Sequence, residues 1–355
     1  MRSGKLCFTI ACIAITLTLV TVPASRSQCW KPLVSGTDTN LRGISAVRIP
    51  GSDRITIWAS GSHGVVMRSS DDGATWTRLT VLNGTELDFR GVVAINDKVA
   101  YLMSSGEGEK SRIYRTSDGG ATWLLGYTDK AKSFFLDSIA CLSETTCFAL
   151  GDPVSGKFII LRTTDGAYWA ELPLERLPPA LAKEGALAAS NSNLLVRSAS
   201  EFFVITGGFA ARVLHSTDGG KSWSASAVSI SSDNASSGIF SIARSSANHF
   251  VAVGGDYANP TVALRTAVIS SDPEKGWQSP AKPTHGYRSA VVSADAQTFL
   301  AAGPTGSDIS TDSGAHWQAI PNSPPLNALF AFDPQHIYAA GPSGTISQFD
   351  STHFQ

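Results

Sequence analysis

An eight-residue pattern recurs along the chain: Ser or Thr, any residue, Asp, any residue, Gly, any residue, Thr or Ser, then Trp. It is complete at Ser69–Trp76, Thr116–Trp123 and Ser216–Trp223, and Ser310–Trp317 keeps it with His316 at the hydroxyl position. Thr163–Trp169 is one residue short, and Ser270-Ser271-Asp272 leading to Gly276-Trp277 is a worn copy. Trp30 has no such pattern before it, yet it sits 46 residues ahead of Trp76, and the later Trp-to-Trp gaps are 47, 46, 54, 54 and 40. A repeat of this length builds its structure from stacked units, each packed on its neighbours. That answers a size problem, because 355 residues exceed what one hydrophobic core usually organises.

Each unit reads as four short strands. One precedes every pattern, as in Gly64-Val65-Val66-Met67-Arg68 or Arg212-Val213-Leu214-His215. A glycine-led turn comes before it, at Gly61, Gly106, Gly151, Gly207, Gly254, Gly303 and Gly341. Two alternating apolar runs lie further upstream, such as Gly43–Val47 and Thr56–Ala59. Gly344–Phe349 resembles the strand that enters a pattern, but no Trp follows it, while the unit around Trp30 lacks its beginning. Joined, the two halves make a seventh unit. The expected fold is all-β, a seven-bladed β-propeller of four-stranded blades spanning 28–355, closed by pairing of 344–349 with the strand at 30–34. Closure removes the open sheet edges of an unfinished ring. Seven of the eight tryptophans then mark one blade each, and only Trp58 falls outside the series.

Charge excludes some partners. Lys and Arg number 28 against 29 Asp and Glu, and charged residues are 16% of the chain, so no basic field exists to collect nucleic acid. The seven His show no metal-ligand spacing, and no dinucleotide fingerprint, haem motif or Cys-x-x-Cys is present, so neither metal nor cofactor is expected. Arg2 and Lys5 precede an uncharged stretch from Leu6 to Val22 and then Pro23-Ala24. This reads as a signal peptide over 1–24, cleaved after Ala24 or Ser27, with an uncleaved anchor as the alternative. The expected location is periplasmic or extracellular. There Cys141 and Cys147 either close a disulfide across a short hairpin or stay as reduced, partly buried thiols. Cys29 is left over, and Arg26-Ser27-Gln28 before it lacks the apolar residue of a lipobox.

The Asp residues of the pattern, Asp71, Asp118, Asp165, Asp218, Asp272 and Asp312, fit a structural role. A carboxylate in a tight turn accepts backbone N–H groups, the Gly supplies positive φ, and the Trp packs between blades. The pattern resembles the Asp box, or bacterial neuraminidase repeat, of sialidases, some glycosidases, sortilin-type receptors and photosystem II assembly factors. That resemblance implies a propeller and says little about chemistry. Arg48-Ile49-Pro50 matches the Arg-Ile-Pro motif of sialidases, whose Arg holds a substrate carboxylate. Here Arg48 falls at the far end of its strand, and Arg288, Tyr287, Tyr338 and Glu184 do not complete a sialidase set.

In a four-stranded blade the inner strand lines the channel, and its start shares a face with the turns between second and third strands. Aligning the units by their glycine turns places Arg42, Arg90, Asp137, Asn193, Phe240, Arg288 and Asn327 at those starts. Such a ring is either a solvated channel mouth or a grip for a carboxylate or peptide end, since Arg forks suit carboxylates. Longer connections surround it at 104–110, 151–157, 254–260 and 172–185, the last with room for a short helix at 180–184.

Leu41-Arg42-Gly43-Ile44, Trp58-Ala59-Ser60-Gly61 and Phe89-Arg90-Gly91-Val92 resemble the repeat unit of the photosystem II stability and assembly factor family. Gly151-Asp152-Pro153 and Ser190-Asn191-Ser192-Asn193 resemble segments of its secreted bacterial relatives. The likeness implies a cofactor-free seven-bladed propeller that binds a membrane-protein subunit through an arginine-rich patch, with Arg42, Arg90 and Arg288 as the counterparts. The expectation is an exported, monomeric, non-catalytic module for a protein or peptide partner, an envelope or membrane protein among the candidates. The alternative is a carbohydrate-binding or glycoside-hydrolysing propeller.

Overall fold

The computed structural model describes residues 29–354 apart from 174 and 175, so the expected leader at 1–24 lies outside the described residues. Seven antiparallel sheets stand around a ring, and the inner strands of successive blades pack side by side through a full circle. Blade 1 runs Leu41–Arg48, Ile55–Gly61, Val66–Ser69 and Thr77–Leu79 from channel to rim, and the later blades repeat that order. Blade 7 takes its three inner strands, Ala328–Asp333, His336–Ala340 and Ile346–Phe349, from the end of the chain. Its rim strand is Trp30–Leu33, paired antiparallel with Trp30 opposite Phe349 and Leu33 opposite Ile346. The ring is closed by that clasp.

No single core exists. Buried apolar side chains form seven clusters, one at each junction between blades, and each holds or abuts one tryptophan of the series. Trp123 of blade 2 packs against blade 1, Trp169 of blade 3 against blade 2, and Trp317 of blade 6 against blade 5. Trp30 does the same to blade 6, donating its indole N–H to Ser307 Oγ at 2.8 Å. Trp58, outside the series, is buried under Arg68 and meets Trp123 edge-on at 6.0 Å.

The turns before these tryptophans share one geometry. Asp71 accepts from the Thr75 N–H at 2.9 Å and the Thr75 hydroxyl at 2.6 Å, and the Ser69 hydroxyl, itself donating to Asp71, accepts the Gly73 N–H. Asp118, Asp218 and Asp312 repeat this with Thr122, Ser222 and His316. Hydrogen bonding by these hydroxyls and amides lowers the Asp71, Asp118 and Asp218 carboxyls to about 2. Asp165 accepts the Ala167 and Tyr168 N–H groups and the Thr163 hydroxyl within its shortened turn, and Asp272 instead pairs with Lys275 at 2.9 Å. The glycine is doubly constrained at Gly120: its φ is +89°, and a Cβ there would stand 2.4 Å from Leu79 Cδ1.

Two departures from regular repetition matter for the site. Blade 5 has only an Ile269–Gln278 bridge in place of a fourth strand, where the turn pattern is worn. The helix expected at 180–184 is absent: the stretch turns and ends in a two-residue strand, Glu184–Gly185, paired with Gly207–Gly208. Arg212 explains this, because its guanidinium takes both Glu184 oxygens, and Glu184 also accepts from the Leu181 N–H and the Thr206 hydroxyl. An anchored, desolvated Glu leaves no solvated face for a helical turn. Cys141 and Cys147 face each other across their hairpin and are joined as a disulfide.

Candidate functional site

The inner strands begin on the face opposite the Asp turns, and there a cleft of about 500 Å³ opens over the channel mouth. Of the seven aligned positions, Arg42, Arg90, Asp137, Phe240 and Asn327 line it together. Asn193 and Arg288 do not. Arg288 is 2% exposed and turns into blade 6, donating to Asp308 at 2.6 Å, to the Tyr287 carbonyl and to Thr305. Asn193 is buried beneath the cleft with its side-chain amide unpartnered.

The floor of the cleft comes from a segment whose position the repeat pattern does not reveal. Residues 186–192, between blades 3 and 4, cross the channel. The Ala188 carbonyl accepts from Arg90 at 2.8 Å and from Arg42 at 3.2 Å, so blades 1 and 2 grip it jointly. Asn191 bonds both main-chain groups of Ile139 in blade 3, Ser190 donates to the Ser289 carbonyl of blade 6, and Ser192 donates to Ser241 of blade 5. Blade 4 consequently keeps a short inner strand, Leu194–Val196, because the residues that would extend it are spent on this plug. The polar run Ser190–Asn193, where other units carry an apolar inner strand, was the available signal.

Opposite charges share the cleft. Arg90 Nε donates to Asp88 at 2.7 Å, leaving its other nitrogens toward Ala188 and the opening. Arg42 Nε is buried without an acceptor, and burial followed by repulsion from Arg90 lowers its pKa. Asp137 is 1% exposed, and neither of its oxygens completes a hydrogen bond. Burial, then the Asp152 charge, push its pKa well above the carboxylate range, and Arg90 and the facing Ala188 N–H offset this only in part. Asp152 accepts from the Ala186 N–H at 2.9 Å, and burial raises it to about 6. The fitting of Asp152 requires Gly185, where a Cβ would stand 2.8 Å from its oxygen.

The remaining wall is aromatic. Phe240 meets Tyr287 edge-on at 4.7 Å, and Tyr257, half-exposed, lies 6.4 Å from Tyr287. Other residues weighed from the sequence stand elsewhere. Arg48 ends its strand on the opposite face, bonded to the Asp53 carbonyl at 3.0 Å and to Asp333 at 3.4 Å. Tyr338 is buried in the junction of blades 7 and 1, and Glu184 is committed to Arg212. Among the described residues no three His, Cys, Asp or Glu side chains gather as a metal ion would need.

Fold and cleft together define a seven-bladed propeller whose channel is plugged and whose mouth presents paired arginines, two carboxyls and an aromatic wall. Solved structures of the same fold include "YCF48 bound to D1 peptide", at 16% identity and TM-score 0.66, covering 92% of this chain and 98% of that one. YCF48 from Cyanidioschyzon merolae is similar at 17% identity and TM-score 0.65, covering 90% and 98%. The GH74 xyloglucanase from Xanthomonas campestris matches at 18% and 0.65 over 92% of this chain, which spans only 54% of that enzyme. No protein-family model matches the chain, and no curated protein does.

Proposed function

We propose that the chain is an exported, monomeric binding module that holds an extended segment of a protein partner in the cleft over its plugged channel, without cofactor or catalysis. One observation carries this reading: two arginines from different blades already converge on a main-chain carbonyl, that of Ala188, at the cleft floor. Guanidinium forks aimed at peptide oxygens, beside a wall of Phe240, Tyr257 and Tyr287, match the chemistry of a polypeptide. The likeness to YCF48 bound to a D1 peptide supports the same use of the fold. The Asp turns support descent from the Asp-box repeat. The disulfide supports export, since such bonds persist in oxidising compartments, and an envelope or membrane protein is then the partner class. The test is capture from solubilised envelope by wild type and by the Arg42→Ala/Arg90→Ala double variant, followed by titration of the isolated protein with synthetic fragments of the captured partner. Undiminished capture and affinity in the double variant would refute the reading.

A second reading rests on Asp137 and Asp152. Two carboxyls in a cleft whose pKa values burial raises unequally resemble the acid and base pair of a glycosidase, and a xyloglucanase is among the similar structures. Release of reducing ends from xyloglucan or another polysaccharide, lost in both Asp137→Asn and Asp152→Asn, would put this reading in place of the binder.

A further inference from the structure

The carboxyl groups at and beside the cleft outnumber its guanidiniums: Asp137 and Asp152 line it, and Asp88 stands beside it on Arg90. Arg42 and Arg90 stand among Asp88, Asp137 and Asp152, and the other titratable side chains on the wall are Tyr257 and Tyr287. Asp88 is consumed by Arg90, whose second contact is the Ala188 carbonyl. Asp152 spends one oxygen on the Ala186 N–H. Asp137 is left 99% buried at the cleft wall, where the Ala188 N–H faces it but neither oxygen completes a hydrogen bond. A buried carboxyl whose hydrogen bonds are left incomplete is costly whichever form it takes, and sites of this kind persist where a ligand completes them.

We propose that the blade 3 wall of the cleft, Asp152 with Asp137 behind it, is a subsite for one basic side chain, lysine or arginine, of the bound polypeptide. The inference rests on the peptide-binding reading and names the residue class that reading leaves open. Three carboxyls against two guanidiniums leave one negative charge that only a proton balances in the free protein. An ammonium or guanidinium group entering beside Asp152 replaces that proton, and the third carboxyl ionises. The carboxyl O–H bond breaks, its electron pair stays on the oxygen and the proton leaves to solvent as the ligand's cation arrives; no other covalent bond changes. Arg90 and Arg42 oppose a second cation, which limits the subsite to one basic residue and turns the ligand's acceptors toward these two guanidiniums. The aromatic side chains opposite cover the aliphatic stem of a lysine or stack on an arginine.

The test is selection of a random peptide library displayed on phage against the full folded protein, wild type and the Asp137→Asn and Asp152→Asn variants. Wild type should enrich peptides with Lys or Arg at one register position. Both variants, kept folded by near-isosteric substitution and checked by thermal unfolding, should still enrich peptides but lose that preference. A wild-type-selected peptide should bind each variant roughly 30-fold more weakly, the scale for removing one side of a desolvated charge pair. The same peptide with norleucine at the basic position should bind wild type and variants alike. Titration in buffers of different ionisation enthalpy should show a proton released on binding to wild type and none on binding to Asp137→Asn. Enrichment of peptides with no basic preference, or of peptides whose acidic end is required, would overturn the subsite and leave the binding reading intact. Failure of wild type to enrich any peptide would overturn both.

Discussion

Replacing Asp152 by Asn should make the protein more stable, and only above acidic pH. In an unfolded chain this carboxyl titrates at its ordinary 3.8, whereas burial raises it to about 6 in the fold, more than the Ala186 N–H can offset. Between those values the unfolded chain gives up its proton first, so this group's effect is a loss of stability as pH rises from about 4 to about 6, level thereafter. At about 1.4 kcal/mol per pH unit, the loss reaches on the order of 3 kcal/mol at pH 7, an upper figure because the side chain is partly exposed. Asn keeps an oxygen for the Ala186 N–H and never ionises, and removing the charge also relieves Asp137, which Asp152 disfavours. Urea unfolding followed by tryptophan fluorescence, in steps from pH 4 to 7.5, isolates the effect as the difference between variant and wild type. That difference should be near zero at pH 4 and rise to roughly 2 to 3 kcal/mol by pH 7. A variant less stable than wild type at pH 7, or a gain that persists unchanged to pH 4, would refute the assignment of the raised carboxyl. Stability gained at the cleft and affinity lost there are the two sides of one arrangement, as is common at binding sites.

Arg288→Ala should cost about 3 kcal/mol by leaving the buried Asp308 carboxylate with His285 as its remaining partner, whereas Arg42→Ala should weaken peptide capture with a much smaller change in melting temperature; equal melting temperatures for the two variants would contradict the geometry. Gly120→Ala should lose roughly 1 to 3 kcal/mol, since its Cβ meets Leu79 at 2.4 Å and Trp58 at 3.2 Å with φ at +89°, and an unchanged melting temperature would count against the packing described. Asp118 is held at about 2, first by the Thr122 hydroxyl, so its contribution is whole above pH 4 and fades as pH falls through 2. Asp118→Asn should therefore unfold with less acid dependence than wild type, measured by fluorescence from pH 5 to 1.5.

Much of the fold was legible because its contacts recur at fixed sequence offsets. A tryptophan at the outer edge of one blade meets the preceding blade, so the spacing of Trp30, Trp76, Trp123, Trp169, Trp223, Trp277 and Trp317 carries the blade count directly. The unpaired half-units at the two ends carried the closure, seen as Trp30 opposite Phe349. The helix expected at 180–184 was misplaced because Glu184 answers to Arg212, a partner 28 residues away that no local pattern reveals.

The cleft was legible only in part. Alignment by the glycine turns brings Arg42, Arg90, Asp137, Phe240 and Asn327 to one place, because equivalent strand positions in a ring share a face. It cannot say which way a side chain turns. Arg288 shares the alignment and goes inward to Asp308, while Asp152, from the strand Cys147–Val154, and Tyr257 and Tyr287, from connections, reach the cleft from positions outside it.

By itself, then, the sequence determined the seven blades, their junctions and the clasp, since each depends on a short motif meeting its neighbour one repeat away. Only the tertiary structure decided the site. The Ala188 carbonyl is gripped by arginines 98 and 146 residues away, and Asp137 is buried with the Ala188 N–H facing it because residues 186–192 fold across the channel. Those contacts join residues of different blades at unrelated offsets, and their charges and hydrogen bonds are set by burial, which exists only once the ring has closed.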